Sequence, residues 1–141
     1  MAKRNLAELK IPATPAFIPV AKRVATTLGG QLGLSLMDLD ELAIALTQAC
    51  DSAIAAAEDL GTPADLKLTY FATTRALVVD VDLMPTGGAM PLPAGKQPAH
   101  VDPELQRLAY EMIRCFVDDF RPVIEPRTGH VSFRMVKHLA G

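Results

Sequence analysis

A chain of 141 residues, half of them apolar, suits one domain built around one core. Its formal net charge of −2, with acids and bases interspersed and no long Lys/Arg run, argues against a nucleic-acid footprint. No apolar run approaches the roughly 18 residues of a membrane span, and the N-terminus "MAKRNLAELKIPA" lacks the apolar segment of a signal peptide, so the expectation is a cytoplasmic protein without membrane or nucleic-acid partners.

Residues 6–11 alternate loosely and read as a short strand. "PATPAF" turns the chain, and Thr14-Pro15 is a helix start with Thr14 as N-cap and Pro15 in the first turn. The helix is expected to run to about residue 28, with Pro19 kinking or delaying it and "GGQLG" stopping it. Ser35 caps the next helix, with Asp38 three residues on. Leu36, Leu39, Ala43, Leu46, Cys50, Ala53 and Ala57 then recur at steps of three and four as far as about Asp59.

The period changes to two in "DLKLTYFAT" and "RALVVDVDL", which predict an antiparallel hairpin turning near Thr73-Thr74. Residues 84–100 are rich in Pro and Gly and read as a long loop, a length usually reserved for function or mobility. Asp102-Pro103 opens a third helix, with Leu105, Leu108, Met112, Cys115 or Phe116, and Phe120 expected on its core face. Two strands, about 120–125 and 130–139, close the chain across "EPRTG". The fold class expected is α+β: one domain over residues 1–141, a two-layer α/β sandwich with a mostly antiparallel sheet and three helices on one face.

Cys50 and Cys115 both lie in predicted amphipathic helices. Without a CxxC pair or a Cys/His cluster they read as reduced, buried residues rather than a disulfide or metal site. His100, His130 and His138 are scattered and read as surface residues. The long helix poses one local question. In "LAIALTQACDSAIAAA" the apolar positions are mostly small, as a close helix–sheet approach requires, yet Gln48 and Ser52 stand one turn apart on one side.

Three segments together resemble a known family. "IPATPAFIPVAKRVATTLGGQLGLSLMDLDELAIALTQACDSAIAAA" is similar to the start of bacterial anti-sigma factors of the serine-protein-kinase type, in the GHKL (histidine-kinase-like) ATPase superfamily. "RLAYEMIRCFVDDF" and "RTGHVSFRMVKHL" resemble that family's C-terminal helix and hairpin. The resemblance implies a Bergerat-type ATPase fold, with Asp118, Gly129 and Lys137 as scaffold positions.

It also implies a nucleotide site, and each motif of that site departs from the family pattern. Where the family carries a Glu base and a Mg²⁺-binding Asn, this chain has Gln48 and Ser52. Gln cannot act as a base, and a Ser hydroxyl is a weaker oxygen ligand. The family's "DxGxG" maps onto Asp82, with Met84 and Thr86 at the glycine positions, or onto Asp80 in the other register; an acidic strand on the solvent face is the plain alternative. The family's phosphate-cradling "GxGL" turn falls on Arg107, Leu108 and Ala109, which read as mid-helix residues; Gly87-Gly88 and Gly95 are a substitute of lesser weight. His130 stands where the family has Thr.

The expectation is therefore an anti-sigma-like signalling protein, a pseudokinase acting in transcription regulation through protein binding. ATP binding is weakened or lost, and no cofactor is needed; ATP and Mg²⁺ belong only to a retained site. Implied partners are a sigma factor or a STAS-type antagonist, met through Lys22 or Arg23 on the first helix, and a second copy in a homodimer. Two alternatives stay open. One is an active serine-protein kinase using Asp51 or Glu58 as base. The other is a small-ligand-binding module lidded by Met84, Met90, Pro91 and Leu92.

Overall fold

The structure, a computed structural model, describes residues 3–61, 63–86, 103–125 and 130–139. Its elements in chain order are β1 (Arg4–Pro12), a 3-10 turn (Pro15–Phe17), α1 (Ile18–Gln31), α2 (Leu36–Leu60), β2 (Ala64–Ala72), β3 (Ala76–Pro85), α3 (Pro103–Phe116), β4 (Asp119–Glu125) and β5 (His130–His138). The strands form one sheet in the order β1-β2-β3-β5-β4, antiparallel at every step. The architecture is α+β and fits a two-layer sandwich, as the change of hydrophobic period predicts.

The main core lies between the helices and one sheet face. Ala21 and Ala25 of α1, the buried residues of α2, and Ile113 of α3 meet Leu66, Leu68, Tyr70, Val79, Val81, Leu83, Phe133 and Met135 of the sheet. A small second cluster of Phe71, Ala76 and Val78, with Val136, sits apart from it. Strand alternation places that cluster on the opposite face.

The small residues of α2 have a structural use. Leu42, Ala45, Leu46, Ala49, Cys50 and Ala53 are almost wholly buried. Beside Cys50, the fully buried Tyr70 of β2 reaches past α2, and its hydroxyl donates to the Ala21 carbonyl of α1 over 2.9 Å. A bulkier α2 face would hold the sheet too far away for this bond. Ser35 caps α2 as expected, accepting from the Asp38 N–H over 3.1 Å, and Gly61 ends it in the left-handed region at φ 67.

Four local expectations are corrected. Thr14 makes no side-chain cap: the chain first forms the 3-10 turn, and α1 begins at Ile18 with Pro19 in its first turn. A missing N–H there removes no helix hydrogen bond. "GGQLG" does not stop α1 at residue 28. The helix continues through Gly29 and Gly30, and a Cβ on Gly29 would lie 2.7 Å from Leu39 Cδ2 and 2.9 Å from Leu34 Cδ1. Gly29 is there for the close approach of α2. The stop comes at Gly33 (φ 91), where Leu34 N–H donates to the Gly29 carbonyl at 3.0 Å and Gly33 N–H to that of Gly30 at 3.2 Å.

The third correction concerns α3. Leu105, Leu108 and Met112, expected inside, are 65%, 58% and 45% exposed. The face that packs carries Gln106, Tyr110, Ile113 and Phe116, with Val117 following. Tyr110 explains the choice: its ring meets those of Phe120 and Phe133 edge-on at 5.4 and 5.8 Å, anchoring α3 over β4 and β5. The fourth follows from it, since Cys115 is exposed while Cys50 is buried.

Candidate functional site

Gln48 and Ser52 are half-buried, one turn apart on α2. Seven and eleven residues after Glu41, they return to within about 20° of its direction. Glu41 bonds Lys137 over 2.8 Å, and the same ammonium donates to the Phe116 carbonyl at the end of α3, also at 2.8 Å. Gln48 and Ser52 thus lie on the α3 flank of α2, below this buried anchor. Asp38 completes the anchor at 3.6 Å from Lys137. Lys137 therefore ties β5 to the start of α2 and the end of α3.

The acidic residues assigned to the same site are elsewhere. On β3 the buried Val79, Val81 and Leu83 face the helices, so Asp80 and Asp82 face the opposite way. Asp80 is engaged there: Arg134 Nε and Nη2 donate to its two carboxylate oxygens at 2.8 and 2.9 Å, a bidentate pair across β3 and β5. This pairing raises the Arg134 pKa further. Asp82 lies opposite Lys67 and Ser132 in the sheet register, with His130 Nε2 at 4.0 Å from its Oδ1. The three residues expected to form one degenerate ATP site, Ser52, Asp82 and Asp80, are separated by the thickness of the sheet. The helix-facing position at the end of β3 is Leu83, 2% exposed.

The substitute base candidates also stand apart. Asp51 is exposed and turned about 100° from Ser52; desolvation holds its carboxyl above its ordinary value. Glu58 lines an open cavity of about 510 Å³ at the C-terminal end of α2, with Thr14, Asp65 and Thr86. Neither Gln48 nor Ser52 reaches that cavity. Arg107, Leu108 and Ala109 are mid-helix in α3, so their N–H groups serve the helix ladder. The glycines Gly87, Gly88, Gly95 and Gly129, and Met90, Pro91 and Leu92, fall outside the described residues. Met84 is 40% exposed at the end of β3.

Gln48 is an amide and cannot accept a proton as a base, and the helix-facing side chains of β3 at Val79, Val81 and Leu83 are apolar. Among the described residues no group of three or more His, Cys, Asp and Glu could hold a metal ion. No helix is long and apolar enough to cross a membrane.

On α1, Lys22 is half-buried and Arg23 exposed, and neither has an ion-pair partner among the described residues. Val20, 43% exposed, precedes Arg23 by three residues on α1, and Phe17, 39% exposed, ends the 3-10 turn three residues before Val20. The exposed apolar members of that patch were not singled out from the sequence; the three-residue spacing was their signal.

No protein-family model matches the chain, and no curated protein matches it at a significant level.

Proposed function

We propose that this chain is an anti-sigma-like regulatory protein that acts by binding other proteins, on a histidine-kinase-like ATPase scaffold whose nucleotide site has been weakened or lost. The observation that carries this reading is the parity of β3. The helix-facing positions Val79, Val81 and Leu83 are all apolar, so the β3 carboxylates Asp80 and Asp82 stand on the face turned away from the helix that carries Gln48 and Ser52. The exposed Phe17, Val20 and Arg23 at the start of α1 support the binding half of the proposal, since apolar side chains beside a guanidinium without an ion pair among the described residues suit an acidic protein surface. A sigma factor or a STAS-type antagonist is the partner class that the family resemblance supplies. Release then follows from competition for the shared surface, since phosphorylation of the antagonist needs a nucleotide.

The test is capture by the immobilised chain from the lysate of its source organism, with bound proteins identified by mass spectrometry. The wild type is expected to retain a sigma factor or a STAS protein, and Arg23→Glu to lose it while keeping its circular dichroism. Retention of neither class by the wild type contradicts the proposal. On the Gln48 flank of α2 the kinase alternative has an amide at the expected base position, Glu41 already bonded to Lys137, and Asp59 near the C-terminal end of the helix. Among the described residues the small-ligand alternative has the cavity beside Glu58.

A further inference from the structure

The helix layer carries apolar side chains on its outer side as well as toward the core. On α3, Leu105, Leu108 and Met112 are exposed. They lie about 140–160° round the helix from Tyr110, whose ring meets Phe120 of β4 and Phe133 of β5. On α2, Ile44 is exposed and points about 180° away from the fully buried Ala53. Both rows therefore stand on the side turned away from the sheet.

α2 and α3 pack against each other. Glu41 near the start of α2 and the Phe116 carbonyl at the end of α3 bond the same Lys137 ammonium, so the two helices run antiparallel. Ile44 and Met112 each stand about one turn along from that anchor. Ile44, Leu105, Leu108 and Met112 thus border one outward groove. Gln48 and Ser52, about 40° and 80° round α2 from Ile44 on the α3 flank, line its floor. Neither side chain makes a hydrogen bond among the described residues.

The rims of the groove are acidic. Asp40 and Asp51 lie within about 40° of Ile44, and Glu111 within about 60° of Leu108. All three are exposed, and none is in an ion pair among the described residues. The neighbouring bases are committed elsewhere: Arg107 to Glu104 at 3.7 Å, Arg114 to the Phe120 ring at 5.3 Å, and Lys137 to Glu41. An apolar stripe between carboxylates selects its occupant by charge. A second copy laid on the same face would set acid against acid, and an anionic lipid surface or a nucleic acid would be repelled. A helix with a leucine-type stripe flanked by Lys or Arg fits both the stripe and the rims.

We propose that the outward groove between α2 and α3 is a docking site for a basic amphipathic helix of a partner protein. Its apolar stripe would cover Ile44, Leu105, Leu108 and Met112, its cations would meet Asp40, Asp51 and Glu111, and Gln48 and Ser52 would supply hydrogen bonds from the floor. This surface lies on other helices than the Arg23 patch and takes a partner of opposite charge. It does not rest on the anti-sigma reading, so partner capture through Arg23 and ATP titration do not bear on it.

Fluorescence anisotropy tests it, with a labelled synthetic peptide of about four helical turns made of Leu and Lys, its Leu at steps of three and four, titrated with the full chain. The wild type should bind it saturably, one peptide per chain. Leu108→Ser should weaken binding about tenfold or more, the worth of one leucine side chain leaving water. Asp51→Lys should weaken it about threefold or more. Both variants should keep the wild-type circular dichroism. Glu8→Lys, the same change of charge on β1, should leave binding nearly unaltered. Cys115 gives a second readout that needs no variant. It is exposed, and seven residues after Leu108 it returns to within about 20° of that side chain, so bound peptide should slow its reaction with a disulfide reagent. No saturable binding by the wild type, equal binding of a peptide with Glu in place of Lys, equal losses in Glu8→Lys and Asp51→Lys, or an unslowed Cys115 overturns the proposal. So does a dimer of the free chain that Leu108→Ser abolishes, which would put a second copy in the groove.

Discussion

Cys50 sits at 0% exposure on the inner side of α2, and burial, followed by the nearby Asp51 carboxylate, pushes its thiol up to about 12 from an ordinary 9.0. Thiolate is the reactive form, so Cys50 is inert at neutral pH, while Cys115 is exposed. Titration of native protein with a disulfide reagent at mildly alkaline pH should count one prompt thiol, and unfolding should release the second; two prompt thiols in the native state contradict the packing of α2. The same group gives a pH dependence. Its folded-state value lies above the unfolded one, so its contribution to stability is intact below pH 9.0 and is lost as pH rises toward about 12. Tyr70 behaves in kind: burial, then Cys50, raises its pKa and keeps the phenol protonated as the donor to Ala21.

At the scale of elements, Gly29 sits where α1 and α2 approach closely. The substitution Gly29→Val would drive a branched side chain into Leu34 and Leu39, each already within 3 Å of where a Cβ would sit. Overpacking of this kind costs about 1–3 kcal/mol, and chemical denaturation should show it as a lowered midpoint at unchanged slope; an unaltered midpoint would mean that α1 and α2 do not approach as described. The stop signal read in "GGQLG" was real but belonged to Gly33, because two adjacent glycines can serve a helix contact as well as a helix end. The period of α3 was legible and its inward face was not. Leu105, Leu108 and Met112 form an apolar stripe as regular as the packed one, and only the aromatic contacts of Tyr110 with Phe120 and Phe133 decide between them. Such contacts link residues far apart in sequence, and no local pattern carries them.

For the whole molecule, the order of elements and the antiparallel hairpins were legible because the hydrophobic period switches cleanly from about four to two and back. The order of strands in the sheet was not, since it depends on β5 inserting between β3 and β4. The site was half legible. Gln48 and Ser52 were found on one flank of α2. Asp80 and Asp82 join them only through the family resemblance, as the matches to its "DxGxG", although their alternation with Val79, Val81 and Leu83 puts them on the far face. The same alternation gives Asp80 a structural occupation, the bidentate pair with Arg134 over the outer cluster of Phe71 and Val78. The account's central claim, that the helix-facing surface beside Gln48 has lost the groups that read and bind a nucleotide, meets its most direct test in isothermal titration of the full chain with Mg²⁺ and ATP. The account predicts no saturable heat below millimolar nucleotide. A dissociation constant in the micromolar range, abolished by a bulky substitution at Ser52, would contradict it.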